Sequence, residues 1–380
     1  MGLRDTPAPA CTRPWRIIHS EASLGWGGEE RRIWAELAGF RKRGHHVGIL
    51  APEQARIFSE AAQDAMTRER LSERKWIFPF DVLRAARFLT RFQADIVNTH
   101  SSRDGWIVGL AARWARTPLV IRSRHFDVPV RNPWLSQYVY RTLADHLITT
   151  SPKVADDFRR LFHLPPDRVD ALPTGVDLAR FSATGPKASF DFPTSERGPT
   201  VGIIGIIRRA KGHTFLFDAL KQLADKGRAM NCVVVGEGPN QPAVEARARE
   251  LRLRDRIRFL GTRDDVPEIL RGLDVLAIPS LHEAIPQVGL QALAVGTPVV
   301  ASRVGGLPSI IRENETGRLC PPGNATALAE MLQATFDRPE ETRTFSAKGQ
   351  QMVMREHTVE VMLDRLGRIY HRYLDGPLGR

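Results

Sequence analysis

The 380-residue sequence predicts an α/β chain of two Rossmann-like, doubly wound parallel-sheet domains in series. Three observations predict it. Short β-rich runs alternate with helical patterns. The alternation stops once, in a stretch rich in Pro, Gly, Ser and Thr at 182–200, and then it restarts. Such alternation is the pattern of βαβ units, and an aperiodic Pro/Gly stretch between two such series reads as a linker. Length agrees, since a soft prior of about 150 residues per domain gives two or three domains.

The elements follow in order. Strands are expected at 15–18, 46–50, 95–98, 119–122, 146–149 and 169–172, with helices between them at 29–43, 81–92 and 106–115. After the linker, strands are expected at 201–206, 232–235, 257–260, 275–279 and 298–301. The last stretch, 358–374, places Val359, Met362, Leu363, Leu366, Ile369, Tyr370 and Tyr373 at helical spacing. The division expected is a disordered tail 1–14, a first domain 15–190, a second domain 191–357 and a C-terminal helix 358–380.

Composition limits the function. Hydrophobic residues are 42% and charged residues 26% of the chain, the range of a soluble globular protein. Cys11, Cys232 and Cys320 lie far apart, so neither a disulfide framework nor a metal pattern is expected, and the cytoplasm is the simple reading. The first 15 residues lack an apolar core, so no signal peptide is expected. The longest uncharged run, 284–302, is broken by Pro286 and Pro298 and reads as a core helix and a strand. The formal charge of +12 suits phosphate-bearing substrates or an anionic leaflet. No zinc finger, RNA-stacking signature or dense basic stripe points to nucleic acid.

In open α/β sheets, ligands sit beyond the carboxyl ends of the strands. Four loops there carry candidate chemistry. The first holds Gly25, Gly27 and Gly28 before a helix, where backbone amides can approach an anion; a tight turn explains them as well. The second runs from Gly202 through Gly205 to Arg208, Arg209, Lys211 and Gly212. It fits neither the P-loop nor the dinucleotide fingerprint. Its content is cationic, a fork or a point charge for phosphate. The third, Gly236-Glu237-Gly238, allows a ligand close to the backbone or is a plain turn. The fourth carries Glu283, Pro286 as a first helical residue, and a helix closing at Gly296. Amides near Val288, Gly289 and Leu290 suit a diphosphate, Glu283 can accept from sugar hydroxyls, and Gln291 can hold a ribose diol. Glu283 as a helix cap and Gln291 as a surface residue are the plainer alternatives.

In their order and spacing these segments resemble family 4 glycosyltransferases of the GT-B fold. The runs Asn98–Ser101, Arg122–His125, Pro173–Asp177 and Thr316–Gly323 join the resemblance, which spans about 15–374. It implies two domains facing a central cleft, a nucleotide-diphosphate-sugar donor, no metal and no cofactor, and retention at the anomeric carbon. It also implies a C-terminal helix that crosses back to the first domain. Matched by position, Arg208 and Lys211 neutralise the donor diphosphate, Glu283 holds the transferred sugar, Gln291 binds ribose, Gly28 contacts phosphate, and His125 lies near the reacting centre.

Two departures stand out. The second Glu of the family's Glu-seven-Glu pattern is Gln291, which keeps an acceptor oxygen and loses the charge. The Arg that usually follows the loop glycine is Ile206, with Arg208 two positions on.

The first domain is expected to read a glycan or lipid-linked acceptor through loops 98–104 and 126–132, with His100, Ser101 and Asp104 on that side. Analogy points to lipopolysaccharide or other surface polysaccharides, and to a hexose or heptose. Basic faces on two helices suit a peripheral membrane contact. One carries Arg84, Arg87 and Arg91. The other carries Arg31, Arg32, Arg41, Lys42 and Arg43 beside Trp34 and Phe40. Rival readings are a nucleotide-sugar epimerase and a non-catalytic nucleotide-sugar-binding subunit.

Overall fold

The structure is a computed structural model that describes residues 13–72, 77–125, 130, 132–193 and 198–376. Most of the expected tail, loop positions 126–129 and 131, linker positions 194–197 and the last four residues lie outside the described residues. The chain forms two units, Met1–Gly175 with Val359–Arg380, and Val176–Thr358.

The first unit carries seven parallel strands: β1 (Arg16–Ser20), β2 (His46–Ala51), β3 (Thr67–Arg70), β4 (Ile96–Thr99), β5 (Leu119–Arg124), β6 (His146–Thr149) and β7 (Val169–Ala171). Their order is β3-β2-β1-β4-β5-β6-β7. Helices α1 (Gly28–Lys42), α2 (Arg56–Gln63), α3 (Phe78–Phe92), α4 (Ser102–Trp114), α5 (Pro133–Tyr138) and α6 (Pro152–Phe162) connect them. The central strands are buried runs of Ile, Val and Leu, as a sheet covered on both faces requires. β3, Thr-Arg-Glu-Arg, is an exposed edge. Its lack of apolar residues hid it in the sequence, and its charges blunt the edge against further pairing.

The second unit carries β8 (Thr200–Ile204), β9 (Asn231–Val235), β10 (Ile257–Phe259), β11 (Val275–Ile278), β12 (Val299–Ser302) and β13 (Arg318–Cys320), in the order β10-β9-β8-β11-β12-β13. Its helices are α7 (His213–Asp225), α8 (Gln241–Glu250), α9 (Val266–Gly272), α10 (Gln287–Val295), α11 (Leu307–Ile310), α12 (Ala325–Asp337) and α13 (Pro339–Glu356). In each sheet the chain leaves the first strand to one side and later returns on the other. The loops after β1 and β4, and after β8 and β11, therefore diverge and leave a crevice at the carboxyl edge.

The last helix, α14 (Val359–Leu374), belongs to the first unit. Met362, Leu363, Leu366, Ile369 and Tyr370 join Ile33, Leu37 and Phe40 of α1 in one core. Gly39 lets the two helices close, since a Cβ there would stand 2.2 Å from Leu363 Cδ1.

Two expectations are corrected. The seams lie at Gly175/Val176 and Thr358/Val359, not near 190, because hydrogen bonds tie the aperiodic stretch to the second unit. Val176 N donates to His357 O at 2.7 Å and Ala188 N to Glu268 O at 2.9 Å, while Arg271 donates to the carbonyls of Ser182 and Pro186. The basic face expected on α1 is also not a face. Arg32 is 1% exposed and pairs with Glu36, and Phe40 is core. Arg43 is occupied by Asp364 and the carbonyl of Glu360.

Candidate functional site

In the first unit, the neighbouring strands β1, β4 and β5 end together and each delivers a histidine. His19 Nδ1 lies 2.9 Å from His100 Nε2, and His100 Nδ1 lies 2.8 Å from His125 Nε2. The rings stack along this line with centroids 5.1 Å apart at each step. Asp104, fully buried in the first turn of α4, ties the strand ends: Ser20 Oγ donates at 2.6 Å, His100 N at 2.8 Å and Ser101 Oγ at 2.7 Å. Gly27 is the N-cap of α1, and its N–H donates to Glu30 Oε2 at 2.7 Å. The first turn of α1 also presents Glu29, whose Oε1 lies 3.8 Å from His125 Nε2.

Burial sets the charge state of this group. It lowers His19 to about 3, helped by Arg32, and holds His100 and His125 well below the usual histidine range, so all three are neutral at pH 7. Burial and neighbouring carboxylates raise Glu21 to about 8 and Glu29 to about 9. Asp104 is raised by burial against the opposing pull of Arg122.

In the second unit, three glycines bring the chemistry together. Gly212 has φ +75, and a Cβ there would stand 1.9 Å from Pro279 O, so the loop after β8 lies directly on the end of β11. Leu281 N donates to Ala210 O at 2.8 Å across the same contact. Gly305, with φ +53, packs on the Glu283 carbonyl, where a Cβ would come within 1.6 Å. Gly306 N donates to Ala284 O at 2.8 Å. Held from both sides, Glu283 forms an ion pair with Lys211 and accepts from Ser280 Oγ at 3.2 Å. Arg208 and Arg209 flank the pair in sequence, are exposed, and make no side-chain hydrogen bond or ion pair among the described residues.

α10 begins at Gln287 with Pro286, the expected first helical residue, as its N-cap, so the helix starts one position later than expected. The Gly289 N–H is taken by Pro286 O at 3.1 Å, and Leu290 is fully buried. That leaves Val288 to offer a first-turn amide of α10. Gln291 is half-buried, and its side-chain amide makes no hydrogen bond among the described residues.

Of the residues singled out in sequence, the structure gathers His100, His125, Ser101 and Asp104 with Gly27 and Gly28 in the first unit. It gathers Lys211 with Glu283 in the second. His100 and Asp104, expected on the acceptor side, are buried with their polar atoms engaged, so they position other groups. Gly236 has φ +119 and a Cβ there would meet Gly205 O at 2.2 Å, so these two glycines let two strand ends touch. Of the adjacent isoleucines, Ile206 is 40% exposed and Ile207 fully buried. The side chain after the loop glycine thus faces outward, but Ile206 offers no charge there. Sequence reasoning missed His19, Glu21 and Glu29. The available signal was that His19 lies in the carboxyl end of β1 while Glu21 and Glu29 lie in the loop and helix start that follow it.

Comparison with known proteins follows the same division. Residues 26–180 match the family described as Glycosyltransferase Family 4, and residues 186–352 match Glycosyl transferases group 1. The 2-deoxystreptamine glucosyltransferase of Streptomyces kanamyceticus is 32% identical over 273 residues, 66% of this chain and 70% of that one. The D-inositol 3-phosphate glycosyltransferase of Salinispora tropica is 31% identical over 344 residues, 80% of this chain and 70% of that one. Among solved structures, a glycosyltransferase from Rickettsia africae superposes with a TM-score of 0.83 at 20% identity, covering 95% of this chain and 99% of that one. Anabaena HepE in complex with UDP-glucose gives 0.75 at 19% identity, covering 92% and 97%.

Proposed function

The chain belongs to family 4 of the glycosyltransferases and has their GT-B fold, and from that premise we propose that it transfers a hexose or heptose from a nucleotide-diphosphate-sugar to a hydroxyl acceptor, with retention and without a metal. The observation that carries this reading is the Lys211–Glu283 pair at the carboxyl edge of the second sheet, beside Arg208, Arg209 and the start of α10. Cations and helix amides suit a diphosphate, and a carboxylate suits sugar hydroxyls. The complex of HepE with UDP-glucose supports a donor of this class.

In this mechanism the bond from the anomeric carbon to the diphosphate oxygen breaks, and the acceptor oxygen bonds to that carbon from the same face. The acceptor proton passes to the leaving phosphate. Lys211 and Arg208 stabilise the charge that develops there, a kind of electrostatic effect worth several kcal/mol. His125, held neutral by burial, hydrogen-bonds the reacting sugar. Gln291 holds the ribose diol through its uncommitted amide.

The acceptor is a glycan or a lipid-linked sugar, as in surface-polysaccharide synthesis. The names of the two curated relatives favour a second reading, a small cyclic polyol. The experiment is a matrix of UDP-, GDP- and ADP-sugars against both acceptor classes. The expected result is release of nucleoside diphosphate only when acceptor is present, with Gln291→Ala raising the donor KM and Gln291→Glu retaining turnover. Conversion of the donor sugar without acceptor supports an epimerase instead, and no turnover with any pair supports a binding subunit.

Peripheral membrane contact in the cytoplasm is part of the same reading. Phe80 and Trp114, 65% and 66% exposed, border a groove of about 570 Å³ on α3 and α4, which Arg84, Arg87 and Arg91 also line. Aromatic tips among arginines suit an anionic leaflet. The protein is expected to float with vesicles containing phosphatidylglycerol, and Phe80→Ala with Trp114→Ala to abolish this. Flotation with neutral vesicles alone, or with none, removes the idea.

A further inference from the structure

We propose that Glu29, His100 and His125 form a binding site for a zinc-class transition-metal ion in the first unit. Three donor atoms, one from each side chain, lie within 4.8 Å of one another. Two imidazoles and one carboxylate are a donor set that zinc takes, with a fourth position left to water. At bond lengths of about 2.0–2.1 Å, tetrahedral ligand atoms stand roughly 3.3 Å apart. His100 Nδ1 and His125 Nε2 are 2.8 Å apart, and His125 Nε2 and Glu29 Oε1 are 3.8 Å apart. With all three donors within 4.8 Å, the ligand set closes on an ion by changes in separation of about 1.5 Å or less.

The surroundings fit a metal better than they fit a proton relay. A relay needs an outlet at its far end, and His19 Nε2 is buried with no hydrogen-bond partner. A metal needs only one tautomer change. His100 would bind through Nδ1 while its Nε2–H donates to His19 Nδ1 at 2.9 Å, the kind of second hydrogen bond that orients a ligating histidine. His125 would bind through Nε2 and carry its proton on Nδ1. No imidazole gains or loses a proton overall. The Glu29 carboxyl makes no hydrogen bond among the described residues, and it ligates the ion by releasing its own proton to solvent. The side chains of His125 and Glu29 keep 6% and 10% of their surface exposed, which gives the ion a way in.

Such an ion is not needed for transfer, because the proposed donor charge is met by Lys211 and Arg208 in the other unit. It would instead occupy His125 and inhibit. That consequence rests on the proposed role of His125, whereas binding does not.

The test uses the full chain, stripped with chelator and titrated with zinc against a chromophoric indicator. Cobalt(II) absorption provides a second readout. One equivalent is expected to bind and to raise the melting temperature. Glu29→Gln, which nearly preserves shape, and His100→Ala are each expected to weaken binding at least ~10-fold. His371→Ala, which removes the exposed His371–Asp375 pair, is expected to leave binding unchanged. No bound equivalent, or binding that Glu29→Gln and His100→Ala leave intact, overturns the site. Zinc that binds at the site yet leaves transfer unaffected overturns only the inhibitory role.

Discussion

Glu21 and Glu29 sit where burial and neighbouring carboxylates favour the protonated acid, and this makes stability depend on pH. Their folded pKa values, about 8 and about 9, lie above the unfolded value of 4.5, so the fold holds extra protons between these limits. Their contribution to stability is present at low pH and is lost as pH rises through that window. His19 works at the other end. Its folded value of about 3 lies below 6.5, so its contribution is lost as pH falls through that range. Above about pH 7.5, where the unfolded histidines have lost their protons, the carboxyl slope dominates. Urea unfolding is expected to show lower stability at about pH 8.5 than at about 7.5, with a shallower difference in Glu29→Gln. Stability that is flat or rises over this interval contradicts the assignment. These residues also show what a linear reading leaves out. His19, His100 and His125 are 81 and 25 positions apart. Only the strand order β1-β4-β5 makes them neighbours. Glu283 and Lys211 were legible because each carries its chemistry within a short loop. Asp104 was read as a ligand contact because sequence cannot show three donors already on its carboxylate.

At the scale of the elements, the loop between β8 and α7 depends on one glycine. Gly212 combines positive φ with backbone contact to Pro279 O, so any side chain forces the loop off the end of β11 and Lys211 off Glu283. Gly212→Ala is expected to cost about 1–3 kcal/mol of stability and to lower kcat by ~10-fold or more. The control is Gly227→Ala, where φ is +73 but nothing lies within 4 Å of the added Cβ. It should lose stability without losing kcat, and equal kcat losses in the two variants would show that loop contact is not what matters. The strands of the two sheet centres were readable because burial on both faces selects apolar runs. β3 was not, because a charged edge strand lacks that pattern. The helix at 81–92 begins at Phe78, three residues earlier, since Pro79 is tolerated in a first turn.

At the scale of the whole molecule, two sheets with the same switch-point topology and two matched family segments describe one enzyme class. Composition read the stretch 182–200 as a linker, yet its carbonyls and amides bond to α9, so the seam falls earlier. Backbone pairing decides a boundary, and no residue pattern reports it. The central claim is that donor chemistry resides in the second unit at Lys211 and Glu283. Donor turnover by Lys211→Ala tests it most directly, with its melting temperature measured alongside. The account predicts a loss of about 10²-fold or more in kcat at nearly unchanged melting temperature. Turnover close to that of the unmodified chain would contradict it.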